Sequence, residues 1–146
     1  MKRNLIFFSA VSMVVLTAST LQGATVYKDI AAGDVTSLTN ELAQSRNGNT
    51  VVIRLAAGDY DLTGIEMNSG SHLYLDNRAI VGQGDSPWKT RLIGDGTKRI
   101  IRADNTIWYD GNMNCRVENL TVTNGWTSGD GGGISGYPNI DRKSVV

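Results

Sequence analysis

Between residues 51 and 125 the chain alternates short apolar runs with glycine, aspartate and asparagine. VVIRL at 51–55 leads into AAGDYDL at 56–62, followed by HLYL at 72–75 and AIVGQG at 79–84. TRLIGDG at 90–96, RIIRAD at 99–104, TIWYDGN at 106–112 and VENLTVTNG at 117–125 complete the series. Runs of three to five residues rich in Val, Ile, Leu and Thr, each ended by turn formers, predict short β-strands. TVYKDI at 25–30 predicts one more. Only DVTSLTNELAQS at 34–45 breaks the pattern. There Val35, Leu38 and Leu42 recur at helical spacing behind Asp34, a helix-capping residue type, and RNGN at 46–49 supplies the stop.

Two all-β architectures accommodate this series. A sandwich needs hairpins, and Asn47-Gly48, Asp95-Gly96, Asp110-Gly111 and Asn124-Gly125 are the dipeptides that make two-residue hairpin loops. A solenoid instead turns corners with Gly and Asn and stacks each strand on its counterpart one coil away. A single helix ahead of many short strands of unequal length favours the solenoid, because a repeat stack needs something to cover its end.

Five phrases carry a family resemblance when taken in order. They are DVTSLTNEL, TVVIRLAAGDYDL, AIVGQGD, TRLIGDG and VENLTVTNGW…GGGI, spread over residues 34–136. Together they resemble the N-terminal portion of right-handed parallel β-helix proteins of the pectate-lyase-like superfamily, most of all bacterial surface and autotransporter-type passengers. The resemblance implies an all-β, right-handed parallel β-helix with a short N-terminal capping helix, truncated at its C-terminal end. Polysaccharide lyases and glycoside hydrolases share that scaffold. Within such a coil Val117, Leu120 and Val122 are candidates for burial, and Asn119 and Asn124 fall at corners. A corner Asn tolerates left-handed backbone and bonds to neighbouring coils. Gly131, Gly132 and Gly133 then give the sharp turn before Ile134 opens the next strand.

The ends of the chain add a compartment. MKRN, then LIFFSAVSMVVLTA at 5–18, then STLQGA at 19–24, runs basic, apolar and small, the order of a secretory signal peptide. Residues 1–24 are therefore expected to be removed on export, giving a secreted or surface-exposed chain with no membrane span left. At the other end DRKSVV, residues 141–146, shows no apolar periodicity. One set of codons for it matches a common sequencing-library adapter. The organised region is thus expected to occupy 25–140, with a non-native tail after it and an open last coil that self-associates.

Charge excludes one function class. Removing Lys2 and Arg3 leaves twelve basic against fourteen acidic residues, not the positive field that nucleic acid requires. Cys115 is the only cysteine, so no internal disulfide forms. His72, the only histidine, lacks a His or Cys partner for a metal and reads as a solvated turn residue.

The aspartates are spread one per turn, the structural use of that residue. The exception is Asp59 and Asp61, the only candidates for a calcium or catalytic pair, and they lie beside the cap. No other cofactor is implied. Arg91, Lys98, Arg99 and Arg102 show no acidic partner at a matching position. Trp88, Trp108, Tyr109, Trp126 and Tyr137 fall in or beside loops, which leaves carbohydrate as a ligand class. The expected function is a non-catalytic exported scaffold, stalk or adhesin-like. The alternative is the front of a lyase or hydrolase acting on acidic polysaccharide.

Overall fold

Side chains on a strand alternate between its two faces, so a chain of short strands can bury one face only by bringing the strands into register. The computed structural model describes residues 23–45, 49–68, 70–76, 78–104, 115–128, 132–137 and 140–145. The leader expected over 1–24 falls almost wholly outside them, as do the strand expected over 106–112 and Gly131. The elements in chain order are β1 (Thr25–Ile30), α1 (Val35–Ala43), β2 (Thr50–Leu55), β3 (Gly58–Asp61) and β4 (Ser71–Leu75). β5 (Arg78–Gly82), a 3-10 turn at Pro87–Lys89, β6 (Thr90–Ile93) and β7 (Arg99–Asp104) follow. β8 (Cys115–Thr123), β9 (Ile134–Tyr137) and β10 (Ile140–Val145) complete the described chain, which is mostly β with one α-helix.

These strands pair in parallel, in three ladders. The first runs β1–β2–β5–β8–β10, with Ile53 beside Ile80 and Ile80 beside Val117. The second runs β3–β6–β8 and aligns Tyr60, Leu92 and Val122. The third runs β4–β7–β9 and aligns Leu73, Ile101 and Ile134. Thus β2, β3 and β4 form one circuit and β5, β6 and β7 the next, while β8 serves the first two ladders at once. The result is a curled parallel sheet compatible with a solenoid. Asp95-Gly96 and Asn124-Gly125 close no hairpin, because the strands on either side of each belong to different ladders.

The three inward rows meet in one core. Ile53, Leu55, Tyr60, Leu62, Leu73, Leu75, Ile80, Leu92, Ile101, Val117 and Leu120 have no exposed surface, and Val122 is half-buried against them. Helix α1 begins one residue inside the predicted span, with the Asp34 carboxylate accepting from Ser37 N at 2.9 Å. It packs on β1 and β4 and sends Leu38 and Leu42 into the core. Burying a leucine is worth about 1.5–3 kcal/mol, so these two side chains bind the helix to the strands.

One expectation needs correction here. β8 is nine residues long, not three to five, because strand pairing continues on both sides of the left-handed corner at Asn119. The ladder also runs into a segment that lacks apolar alternation: Ile140–Val145 lies parallel on β8, with Ile140 beside Cys115 and Val145 beside Leu120. Backbone donors and acceptors pair whatever the side chains are, so an open strand edge can order a segment with no pattern of its own.

Circuits stack tightly only where side chains are missing. A Cβ on Gly94 would overlap Ile100 Cδ1 and approach the Asn124 carbonyl oxygen to 2.6 Å. Gly64 is the opposite case, with a φ of +76° and nothing within 4 Å of its would-be Cβ. Gly94→Ala is therefore expected to cost about 1–3 kcal/mol by overpacking. Gly64→Ala should cost only the left-handed backbone penalty, roughly 1 kcal/mol. Urea unfolding of both variants checks this, and equal losses would contradict the close stacking at Gly94.

Candidate functional site

The corner between the first and second ladders depends on Asn119. Its φ is 51°, a left-handed value that resets the in-out alternation, so Val117 and Leu120 both point to the core although three residues apart. Its side-chain Nδ2 donates to Gly82 O at 3.0 Å and Gly84 O at 2.8 Å in the preceding circuit. Asn124, with φ 56°, does the same at the next corner, donating to Gly94 O at 2.7 Å while its own carbonyl accepts from Gly96 N. Gly132 O accepts from Ile100 N and Gly133 O from Ile101 N, so both glycines join the third ladder.

Beyond Asn119 the second ladder presents an outward face. Its first row is Asp59, Arg91 and Thr121, and its second is Asp61, Ile93 and Thr123. The Arg91 guanidinium donates to both Asp59 oxygens, with Nε at 2.6 Å from Oδ1, and holds that carboxyl below its ordinary range. Asp61 accepts from Thr63 N at 3.0 Å and is likewise lowered, first by the Thr63 side chain and then by that N–H. Asp95 lies close enough to oppose the lowering slightly. The two calcium candidates are therefore separated in role, one paired with an arginine and the other closing a turn. Among the described residues no three His, Cys, Asp or Glu side chains are grouped to hold a metal.

This pairing corrects the reading of the cations. Arg91 has an acidic partner at the matching position one circuit away, and Lys98 Nζ lies 3.6 Å from Glu66 Oε2. Arg54 repeats the motif on the first ladder, with Nε and NH2 each 2.6 Å from an Asp29 oxygen. Partners 32 and 25 residues apart follow no single period, so spacing alone does not reveal them.

His72 is the second correction. It is not a solvated turn residue but sits within β4 with no exposed surface. Its Nδ1 is 2.7 Å from Ile65 O, which can only accept, so Nδ1 donates. Nε2 stands 3.2 Å from Asp95 Oδ1, within ion-pair range but outside hydrogen-bond alignment. The loop through Ile65 folds over the histidine, and no feature of HLYL betrays that cover. Asp95 is held at about 2, chiefly by the Thr97 hydroxyl at 2.5 Å and the Thr97 N–H at 2.9 Å, with His72 and Lys98 adding their charge.

Cys115 is buried at the start of β8, with Sγ 3.6 Å from Leu75 O. Trp88 is exposed in the 3-10 turn before β6 and Trp126 past the Asn124 corner, whereas Trp108 and Tyr109 lie outside the described residues. Of the Tyr137 side chain nothing is described. Comparison of the chain with protein-family models, curated proteins and solved structures finds no match.

Two predictions follow from the corners. Asn119→Gly keeps the left-handed backbone but removes both donations to Gly82 and Gly84. It should lose about 1–3 kcal/mol in denaturant unfolding, and Asn119→Ala should lose roughly 1–2 kcal/mol more through strain. A glycine variant as stable as the parent would show the side chain to be dispensable. Asp95 gives a pH dependence. Its folded value of about 2 lies below the ordinary 3.8, so its contribution is complete above 3.8 and lost as pH falls from there toward 2. Asp95→Asn should flatten the drop in melting temperature over that window, measured by circular dichroism.

Proposed function

We propose that this chain is the N-terminal part of a right-handed parallel β-helix of the pectate-lyase-like kind, exported and serving as a non-catalytic surface or secreted scaffold. The observation that carries the reading is the use of the outward acids. Asp59 and Asp29 are bound two-pronged by Arg91 and Arg54 in register, and Asp61 and Asp95 close turns through Thr63 and Thr97. Glycoside hydrolysis asks for two carboxyls free to exchange protons across a bond, one of them raised. Asp59, Asp61 and Asp95 are all held low instead. Asp29 and Asp59 used this way bind one circuit to the next, while Asp61 and Asp95 fix turns. The basic–apolar–small leader supports export.

The alternative, the front of an enzyme acting on acidic polysaccharide, rests on one observation: Asp61 and Asp95 lie near enough to influence each other. The full chain incubated with polygalacturonate, with and without calcium, separates the two. The scaffold reading expects no rise in ultraviolet absorbance from unsaturated product and no new reducing ends. Either signal, abolished by Asp61→Asn, would establish the enzymatic reading.

A further inference from the structure

The enclosed ring of His72 faces two acceptors. Nδ1 stands 2.7 Å from Ile65 O, and Nε2 stands 3.2 Å from Asp95 Oδ1. A carbonyl cannot donate, and Asp95, held at about 2, is ionised throughout the neutral range. A neutral imidazole carries one proton only. With that proton on Nδ1, the Nε2 lone pair points at a carboxylate. With it on Nε2, the Nδ1 lone pair meets the Ile65 carbonyl at the shorter distance. Only the imidazolium offers a donor to each. The side chain has no exposed surface, so bulk water does not supply the missing donor.

The two acceptors belong to different circuits. Ile65 lies in the loop between β3 and β4, where Met67 N donates to His72 O. Asp95 opens the turn between β6 and β7, where Gly96, with φ 76°, donates its N–H to Asn124 O. Gly94 leaves room for the contact, since a Cβ there would come within 3.2 Å of Nε2. The other charged groups nearby are few. Lys98 and Asp61 act on the Asp95 carboxylate. Glu66 faces Lys98 through Oε2 and accepts from Gly70 N through Oε1, and Arg99 opens β7 beside Ser71. Among the described residues no third His, Cys, Asp or Glu joins His72 and Asp95, so what this pair can take up is a proton, not a metal ion.

We propose that His72 is a proton-operated latch, in which a proton taken up on Nε2 draws the Asp95 turn into a hydrogen bond and ties it to the Ile65 loop. The present contact, in ion-pair range but not aligned, is the released position. Burial opposes a charge on the ring and the carboxylate beside it favours one, so a single contact carries both sides of the balance. Histidine changes charge between about pH 5 and 8. The bonded form is the protonated one, so the tie is complete at the acid end of that window and lost as pH rises through it. The Asp95 contribution runs the other way and lower, fading only as pH falls from 3.8 toward 2. The latch needs only the fold, and its failure would leave the scaffold reading untouched.

The test is nitrogen NMR of the full chain labelled at histidine, with amide-exchange protection factors measured from pH 5 to 8. His72 is the only histidine, so the ring signals identify themselves. Nδ1 should stay protonated throughout, and Nε2 should gain a proton toward pH 5. Protection at Met67 N and Gly96 N should be about tenfold higher at pH 5 than at pH 8. Asp95→Asn keeps an acceptor but removes the charge, and should abolish that difference. His72→Gln should abolish it too while preserving the loss of stability below pH 3.8. Should the glutamine variant not fold, the parent chain and Asp95→Asn decide the matter. A ring whose charge does not change between pH 5 and 8 would overturn the latch. So would proton uptake with unchanged protection, or a protection difference that survives Asp95→Asn.

Discussion

The structure depends on the seat that each corner asparagine finds on a glycine of the circuit before it. Asn119 sits over Gly82 and Asn124 over Gly94, in each case with left-handed backbone and with Nδ2 bonded to the glycine carbonyl. A Cβ at either glycine would overlap atoms of the circuit above. The arrangement solves two problems at once. Left-handed backbone turns the chain from one ladder to the next, and the side-chain amide satisfies a carbonyl that the bend leaves outside the strand pairing. Because the bond runs between circuits, the corner also sets their register. A slip by one residue would bring a side chain against the corner and turn the apolar row outward.

With register set, core and surface follow from the same rule. In a parallel ladder equivalent positions stack directly, so an inward isoleucine meets an inward isoleucine and an outward aspartate meets whatever stands one circuit on. Ile53, Ile80 and Val117 show the first case, and Asp59 with Arg91 the second. The outward ion pairs are exposed, and such pairs contribute little on average. Their two-pronged geometry does more for alignment than for stability. The buried His72 is a costlier departure, since its enclosed ring bonds Ile65 O through Nδ1 while Nε2 has only the Asp95 carboxylate beside it, out of hydrogen-bond alignment.

Much of this was legible in the residues. The helix behind Asp34 was readable because capping, spacing and stop agree, and the strands because β-branched runs end in Gly and Asp. Asn119 and Asn124 could be assigned to corners because left-handed backbone restricts the residue types that tolerate it. What could not be read depends on the alignment between circuits. Successive pairs on the first ladder lie 27 residues apart at Val51 and Arg78 but 37 apart at Ala79 and Arg116. No fixed period identifies Arg91 as the partner of Asp59, or shows that the loop through Ile65 covers His72. β10 escaped for a different reason: its order comes from the edge it lies on, and an edge selects backbone, not side chains.

The same distinction bears on where a ligand would be recognised. Residues that hold circuits together are committed to each other: Asp59 to Arg91, Asp29 to Arg54, Asn119 to Gly82. Committed groups are poor general acids, since proton transfer at one end breaks the alignment at the other. They are good recognition groups, because side chains already fixed lose little entropy when a hydroxyl docks against them. Trp88 and Trp126 have a different status, being exposed large apolar side chains on a surface otherwise filled with charge and hydroxyl. Single exposed apolar side chains are ordinary on a protein surface and need no ligand to account for them. What the fixed polar groups show is how circuits are held in register, and the same commitments argue against their acting as general acids or bases.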